Sequence, residues 1–150
     1  MLPALKEWAY LAPNVFTPDR IFLDKYKLHP KEYFFVREVS VGTVNYTGQH
    51  VGAVMGIASK IPHGRKVLLS LEDKSTKERY PEDWILLEEP VEGIHSLIYY
   101  SCALISSGDS MAREAALLGV PSYYLGIRYD MPANRAASSW EFCITGKAWI

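Results

Sequence analysis

The chain has 150 residues, 49% of them apolar, and a formal net charge of −1. At this size roughly 68–70% of the unfolded surface can be buried, which suits one domain around one core. The charge gives no whole-chain field toward nucleic acid or an anionic membrane, and the apolar runs fall far short of the roughly 20 residues that span a bilayer, so no transmembrane segment is expected.

The first residues, Met1 to Trp8, lack the charged, apolar and small-residue regions of a secretion signal, and a cytoplasmic location is expected. Residues 1–32 read as a lead-in or connecting segment. Pro13 and Pro18 discourage a continuous helix there, and a short helix is expected near Arg20–Lys27. Residues 33–150 read as the domain proper. Tyr33 to Arg37 is an apolar run of strand length, followed by a polar loop from Ser40 to Thr47. Val51, Met55, Ala58 and Ile61 recur at helical spacing, with Gly52 and Gly56 on one face of that helix, where close packing would compensate their poor propensity. Val67 to Leu71 and Trp84 to Leu87 are further strands, separated by a charged loop or short helix. A helix starting at Pro90 presents Ile94, Leu97 and Ile98 inward. Ala103 to Ile105 is a strand, Ser110 to Leu118 a helix, and Ser122 to Leu125 a fifth strand, while the last 25 residues are weakly patterned.

Strands apolar on both faces and alternating with helices predict an α/β, Rossmann-like three-layer domain with a mostly parallel sheet. Its strand–helix turns, Glu38–Thr47, Glu88–Glu92 and Ser106–Ser110, would then line one edge, where open α/β sheets bind ligands. The Ser-Gly turn before the helix at Ser110 is the strongest candidate, because unpaired amides and the positive end of a helix dipole converge at such a terminus.

Individual residues carry two readings each. Glu114 is an acid favoured near a helix start or a ligand contact; Asp109 and Ser110 are good caps, and capping is favoured for Asp109. Gly108 supplies turn geometry. Arg37 is expected to pair with Glu38 or another acid rather than bind phosphate, and Arg113 to be solvated. His95, near a helix start, reads as a packing or hydrogen-bonding residue, with ligand contact as the other reading. Cys102 and Cys143 read as reduced, buried thiols, and the histidines His29, His50 and His63 lack metal-like spacing. No metal or cofactor is called for. The run from Lys74 to Arg79 is too balanced in charge for a nucleic-acid patch.

Three segments carry a resemblance: Trp8 to Asp19, Tyr33 to Arg37, and Ile94 through Pro121, the last with glycine, glutamate, glycine and proline at fixed spacing. The chain resembles the C-terminal half of GT-B-type proteins, which include glycosyltransferases and UDP-N-acetylglucosamine 2-epimerases, and more specifically a prokaryotic family of unknown function predicted to share that fold. The resemblance implies nucleotide-sugar or nucleoside-diphosphate binding, with Gly108, Asp109 and Ser110 at the diphosphate, Glu114 at the ribose, Arg37 facing the phosphates, and the backbone near Glu92–His95 meeting the base. Asp109 departs from the pattern, since its charge would repel a diphosphate. The resemblance also implies a missing N-terminal half or partner chain. It leaves open whether the chain is itself a glycosyltransferase- or epimerase-class enzyme, and it assigns no catalytic residue. The alternative reading is a non-catalytic interaction or structural module with a vestigial ligand site.

Overall fold

A computed structural model describes residues 6–41, 48–128, 130–138 and 143–145. Two short helices, α1 (Trp8–Leu11) and α2 (Ile21–Asp24), precede β1 (Tyr33–Glu38). Then follow α3 (Met55–Ala58), β2 (Lys66–Leu71), a 3-10 turn over Lys74–Arg79, β3 (Ile85–Leu86), α4 (Ile94–Tyr99), β4 (Leu104–Ser106), α5 (Asp109–Leu117), β5 (Ser122–Tyr124), α6 (Pro132–Ser138) and β6 (Cys143–Thr145). The strands form one sheet in the order β3-β2-β1-β4-β5-β6, and every neighbouring pair is parallel. The expected Rossmann-like α/β architecture is present, with a sixth strand that the weak pattern of the last residues concealed.

Successive strand residues point to opposite faces, so a sheet covered on both sides needs apolar residues at odd and even positions alike. Tyr33, Phe35, Leu68, Leu104 and Tyr124 form one buried layer, packed with Leu97 and Ile98 of α4 and Ala112 and Ala115 of α5. Val36, Val67, Leu69 and Ile105 form the other, with Val54, Tyr80 and Trp84. The segment before β1 is docked, not trailing: Leu23 and Leu28 belong to the first layer, and Leu11 is buried.

Several expectations are corrected. The helix expected across Val51–Ile61 shrinks to α3, because Gly52 adopts a left-handed φ of 84° that interrupts it. Gly56 has open space where a Cβ would stand, so close packing is not what places a glycine there. The third strand covers only two residues: Trp84 N–H turns back to the Pro81 carbonyl, and Leu87 N–H reaches Leu69. Cys102 is half-buried, precedes β4, and donates its thiol to the Lys31 carbonyl at 2.7 Å. Most of the loop expected from Ser40 to Thr47 lies outside the described residues. Among the described residues no helix is long and apolar enough to cross a membrane.

The start of α4 depends on a glycine. Gly93 sits at its N-cap with φ 64°, and a Cβ there would fall inside the Phe22 ring. A left-handed backbone and a ring at van der Waals contact both exclude a side chain.

Candidate functional site at the switch between β1 and β4

Strand order fixes where a ligand can enter. From β1 the chain moves outward to β2 and β3, and from β4 it moves the opposite way to β5 and β6. The two adjacent strands β1 and β4 therefore send their following segments apart, which opens a crevice beyond their carboxyl ends.

The floor of that crevice is tied together by hydrogen bonds. Ser107 N–H donates to the Arg37 carbonyl at 3.1 Å, and Val39 N–H donates to Ser107 Oγ at 3.0 Å. Gln49, itself buried, donates Nε2 to the Ser107 carbonyl at 3.3 Å. Ser106 shapes the turn into α5: its hydroxyl accepts from Gly108 N–H at 2.9 Å and donates to the Gly108 carbonyl at 2.8 Å. Gly108 occupies the N-cap, and Asp109 is the first helical residue, so the capping role expected for Asp109 is replaced. The helix begins one residue earlier than its apolar pattern suggests. The first amides of any α-helix lack intrahelical partners, and topology places those of α5 at the crevice.

Asp109 is buried, with its Oδ2 3.0 Å from Arg113 Nη1 and 3.7 Å from Arg128 Nη1. Burial pushes the carboxyl up, but the Arg113 hydrogen bond and charge, followed by Arg128 and Asn134, outweigh it and hold the group below its usual range. The negative charge that would repel an anion is thereby neutralised from both sides. Arg113 is not solvated as its surroundings in sequence suggested. It is buried between Asp109 and Glu7, whose Oε1 lies 2.9 Å from Nη2, and it donates Nη1 to Asn134 Oδ1 at 2.5 Å. Burial of one cation beside two carboxylates and an amide oxygen satisfies its donors.

Glu114 and His95 come together. His95 Nε2 lies 3.3 Å from Glu114 Oε2, and the Tyr10 hydroxyl donates to Glu114 Oε1 at 2.6 Å. The Tyr10 and Phe16 rings flank the imidazole, with centroids 5.6 and 6.1 Å away. Burial acts to raise the Glu114 carboxyl, and the bonds from His95 and Tyr10 overcome it, leaving the group below its usual range. Burial and then the adjacent Glu114 push the Tyr10 phenol upward, so it stays a donor.

Arg37 is the last residue but one of β1 and is drawn toward the β2 side. Its Nη2 lies 2.7 Å from Glu72 Oε1, and its Nη1 lies 2.7 Å from Ser70 Oγ and 3.2 Å from Glu89 Oε1. The expected ion pair is present with these acids. Glu38 takes no part, since neighbours on a strand face opposite ways; it accepts from Gly52 N–H and from the Tyr80 hydroxyl. Of the residues singled out in the sequence, Gly108, Asp109 and Ser110 thus sit at the mouth of α5, His95 and Glu114 form a pair under the N-terminal segment, and Arg37 is bound to acids.

Three participants were missed in the sequence. Glu7 and Tyr10 sit in the segment read as a lead-in, far from their partners. Arg128 follows β5 on the same sheet edge as Gly108, is partly exposed at 29%, and has its N–H bonded to the Tyr124 hydroxyl at 3.0 Å. The only signal for it was a cation just after a predicted strand.

No family model and no curated protein matches the chain. In three dimensions it is similar to the UDP-N-acetylglucosamine 2-epimerase of Rickettsia bellii, at 18% identity and a TM-score of 0.52, covering 77% of this chain and 32% of that one. It is similar also to the UDP-GlcNAc 2-epimerase of Methanocaldococcus jannaschii, solved in complex with UDP-GlcNAc and UDP, at 12% identity and a TM-score of 0.58, covering 85% of this chain and 38% of that one. The chain therefore spans about a third of the length of these enzymes. Likeness at such identities speaks to architecture, and the architecture is the Rossmann-like α/β fold of GT-B proteins.

Proposed function

We propose that this chain is a half-domain that binds a nucleoside diphosphate or nucleotide-sugar in the crevice between β1 and β4, as part of a glycosyltransferase- or epimerase-like protein completed by a second half or a partner chain. The observation that carries the reading is the neutralised mouth of α5: a serine-shaped turn at Gly108, with Asp109 held between Arg113 and Arg128. An anion at this point meets first-turn amides, the positive end of the helix dipole and the Arg128 guanidinium. The structural likeness to an enzyme solved with UDP-GlcNAc and UDP supports that ligand class.

In this reading the first-turn amides of Asp109 and Ser110 supply backbone donors to the diphosphate beside the Gly108 turn, whose own N–H is held by Ser106 Oγ, and Arg128 rather than Arg37 supplies the cation, since Arg37 is committed to Glu72 and Glu89. Glu114 contacts the ribose once the Tyr10 hydroxyl yields one of its oxygens. The domain's contribution is to position the diphosphate and stabilise charge that develops on it. Calorimetric titration with UDP and UDP-N-acetylglucosamine tests the reading. Saturable binding that weakens in Arg128→Ala supports it; a folded chain that takes up neither ligand refutes it and leaves an interaction module.

A further inference from the structure

The opposite edge of the sheet carries a second feature. The segments that enter β1 and β2 meet there, with Tyr33 and Lys66 in register at the strand starts. Between them lies a cleft of about 400 Å³, lined by Lys27, His29, Glu32, Tyr33, Arg65 and Lys66. That volume falls among small-molecule sites, which run from roughly 300 to 1,000 Å³.

Three fixed cations face one carboxylate in this lining. The Lys66 ammonium donates to the Lys27 carbonyl, which holds it at the rim instead of leaving it to roam in solvent. Lys27 presents that carbonyl from a left-handed backbone, φ 51°, where the chain turns out of α2. Among the described residues neither Lys27 nor Arg65 is ion-paired. A cleft with an excess of one sign of charge concentrates the opposite ion.

We propose that this cleft is a second binding site, separate from the switch-point crevice, for a small phosphate-bearing molecule. Arg65 offers a planar fork matched to phosphate oxygens, Lys27 and Lys66 offer point charges, and His29 offers a ring N–H. The size suits a compact ligand, and Glu32 discourages an extended polyanion.

The test is titration of the whole chain with inorganic phosphate and pyrophosphate in 0.15 M salt, followed by calorimetry and by backbone amide shifts. Saturable binding is expected, with shifts at residues 27–29 and 64–66. Arg65→Ala weakens the binding read at those residues at least tenfold. Arg65 is exposed, so this variant keeps the fold; Lys27→Ala, also exposed, gives an independent second loss. Absence of saturable binding, or binding that ignores both Arg65→Ala and Lys27→Ala, overturns the proposal. A response confined to low salt overturns it as well, because it reports only a diffuse surface field. Since these variants leave the switch-point crevice intact, failure here is distinguishable from failure of the UDP reading.

Discussion

Glu7 and Arg113, 106 residues apart in sequence, meet at 2.9 Å with both side chains buried. The contact fastens the N-terminal segment to α5 and places Tyr10 of the same segment over Glu114. One helix thus carries two carboxylates with partners from outside it: Asp109 meets Arg128 as well as Arg113 of its own helix, and Glu114 meets His95 and Tyr10.

Removing Glu7 leaves the buried Arg113 guanidinium with Asp109 and Asn134 but takes away the acceptor of its Nε and Nη2 donors. Glu7→Ala is expected to destabilise the fold by about 1.5–3 kcal/mol, the scale of lost hydrogen bonds to a charged group. Urea denaturation, read by the shift in midpoint at constant slope, checks the value. A loss below about 0.5 kcal/mol would mean that the pair behaves as an exposed one.

Acid sensitivity follows from the carboxylates. Asp109 and Glu114 both titrate below their ordinary values of 3.8 and 4.5 in the folded chain. The unfolded chain therefore binds more protons in the acid range. The stability these groups contribute is complete above their unfolded values and is lost as pH falls through the depressed folded values. Denaturation midpoints measured from pH 7 down to pH 2 should drop below about pH 4.5, and Glu114→Gln should flatten part of that drop. An unchanged profile in the variant would contradict the assignment.

At Gly93 the prediction is steric. Gly93→Ala forces a side chain onto a left-handed backbone and into the Phe22 ring. Strain and overpacking each cost about 1–3 kcal/mol, so thermal unfolding should fall by several degrees. Phe22→Ala in the same background should recover part of the loss by removing the clash.

In the proposed site, Arg128→Ala should weaken UDP binding about tenfold or more, the scale of one lost charge-assisted hydrogen bond, about 1.5–3 kcal/mol. Arg37→Ala should alter UDP affinity far less, because its guanidinium faces Glu72 and Glu89. Comparable losses in both variants would move the phosphates toward β1.

The legible and illegible parts divide by range. Tyr33 to Arg37, Val67 to Leu71 and Ser122 to Leu125 read as strands because apolar runs of that length, buried on both faces, have a local signature. The mouth of α5 was readable for the same reason: Ser106, Ser107 and Gly108 stand between a strand and a helix. The span from Val51 to Ile61 misled, since its apolar spacing fits a helix while the backbone of Gly52 forbids one. Arg113 was misread as solvated because its partner Glu7 is 106 residues away, and the hold of Tyr10 on Glu114 crosses 104 residues. Periodicity and capping rules reach a few residues along a chain; they do not report which distant carboxylate a helix will meet.

The central claim, a nucleoside diphosphate seated at the switch between β1 and β4, is tested most directly by following backbone amide resonances of the whole chain during titration with UDP. The account predicts saturable shifts concentrated at Ser107, Gly108, Ser110 and Arg128, on one binding curve. Shifts confined to residues away from these positions, or none at millimolar UDP, would contradict it.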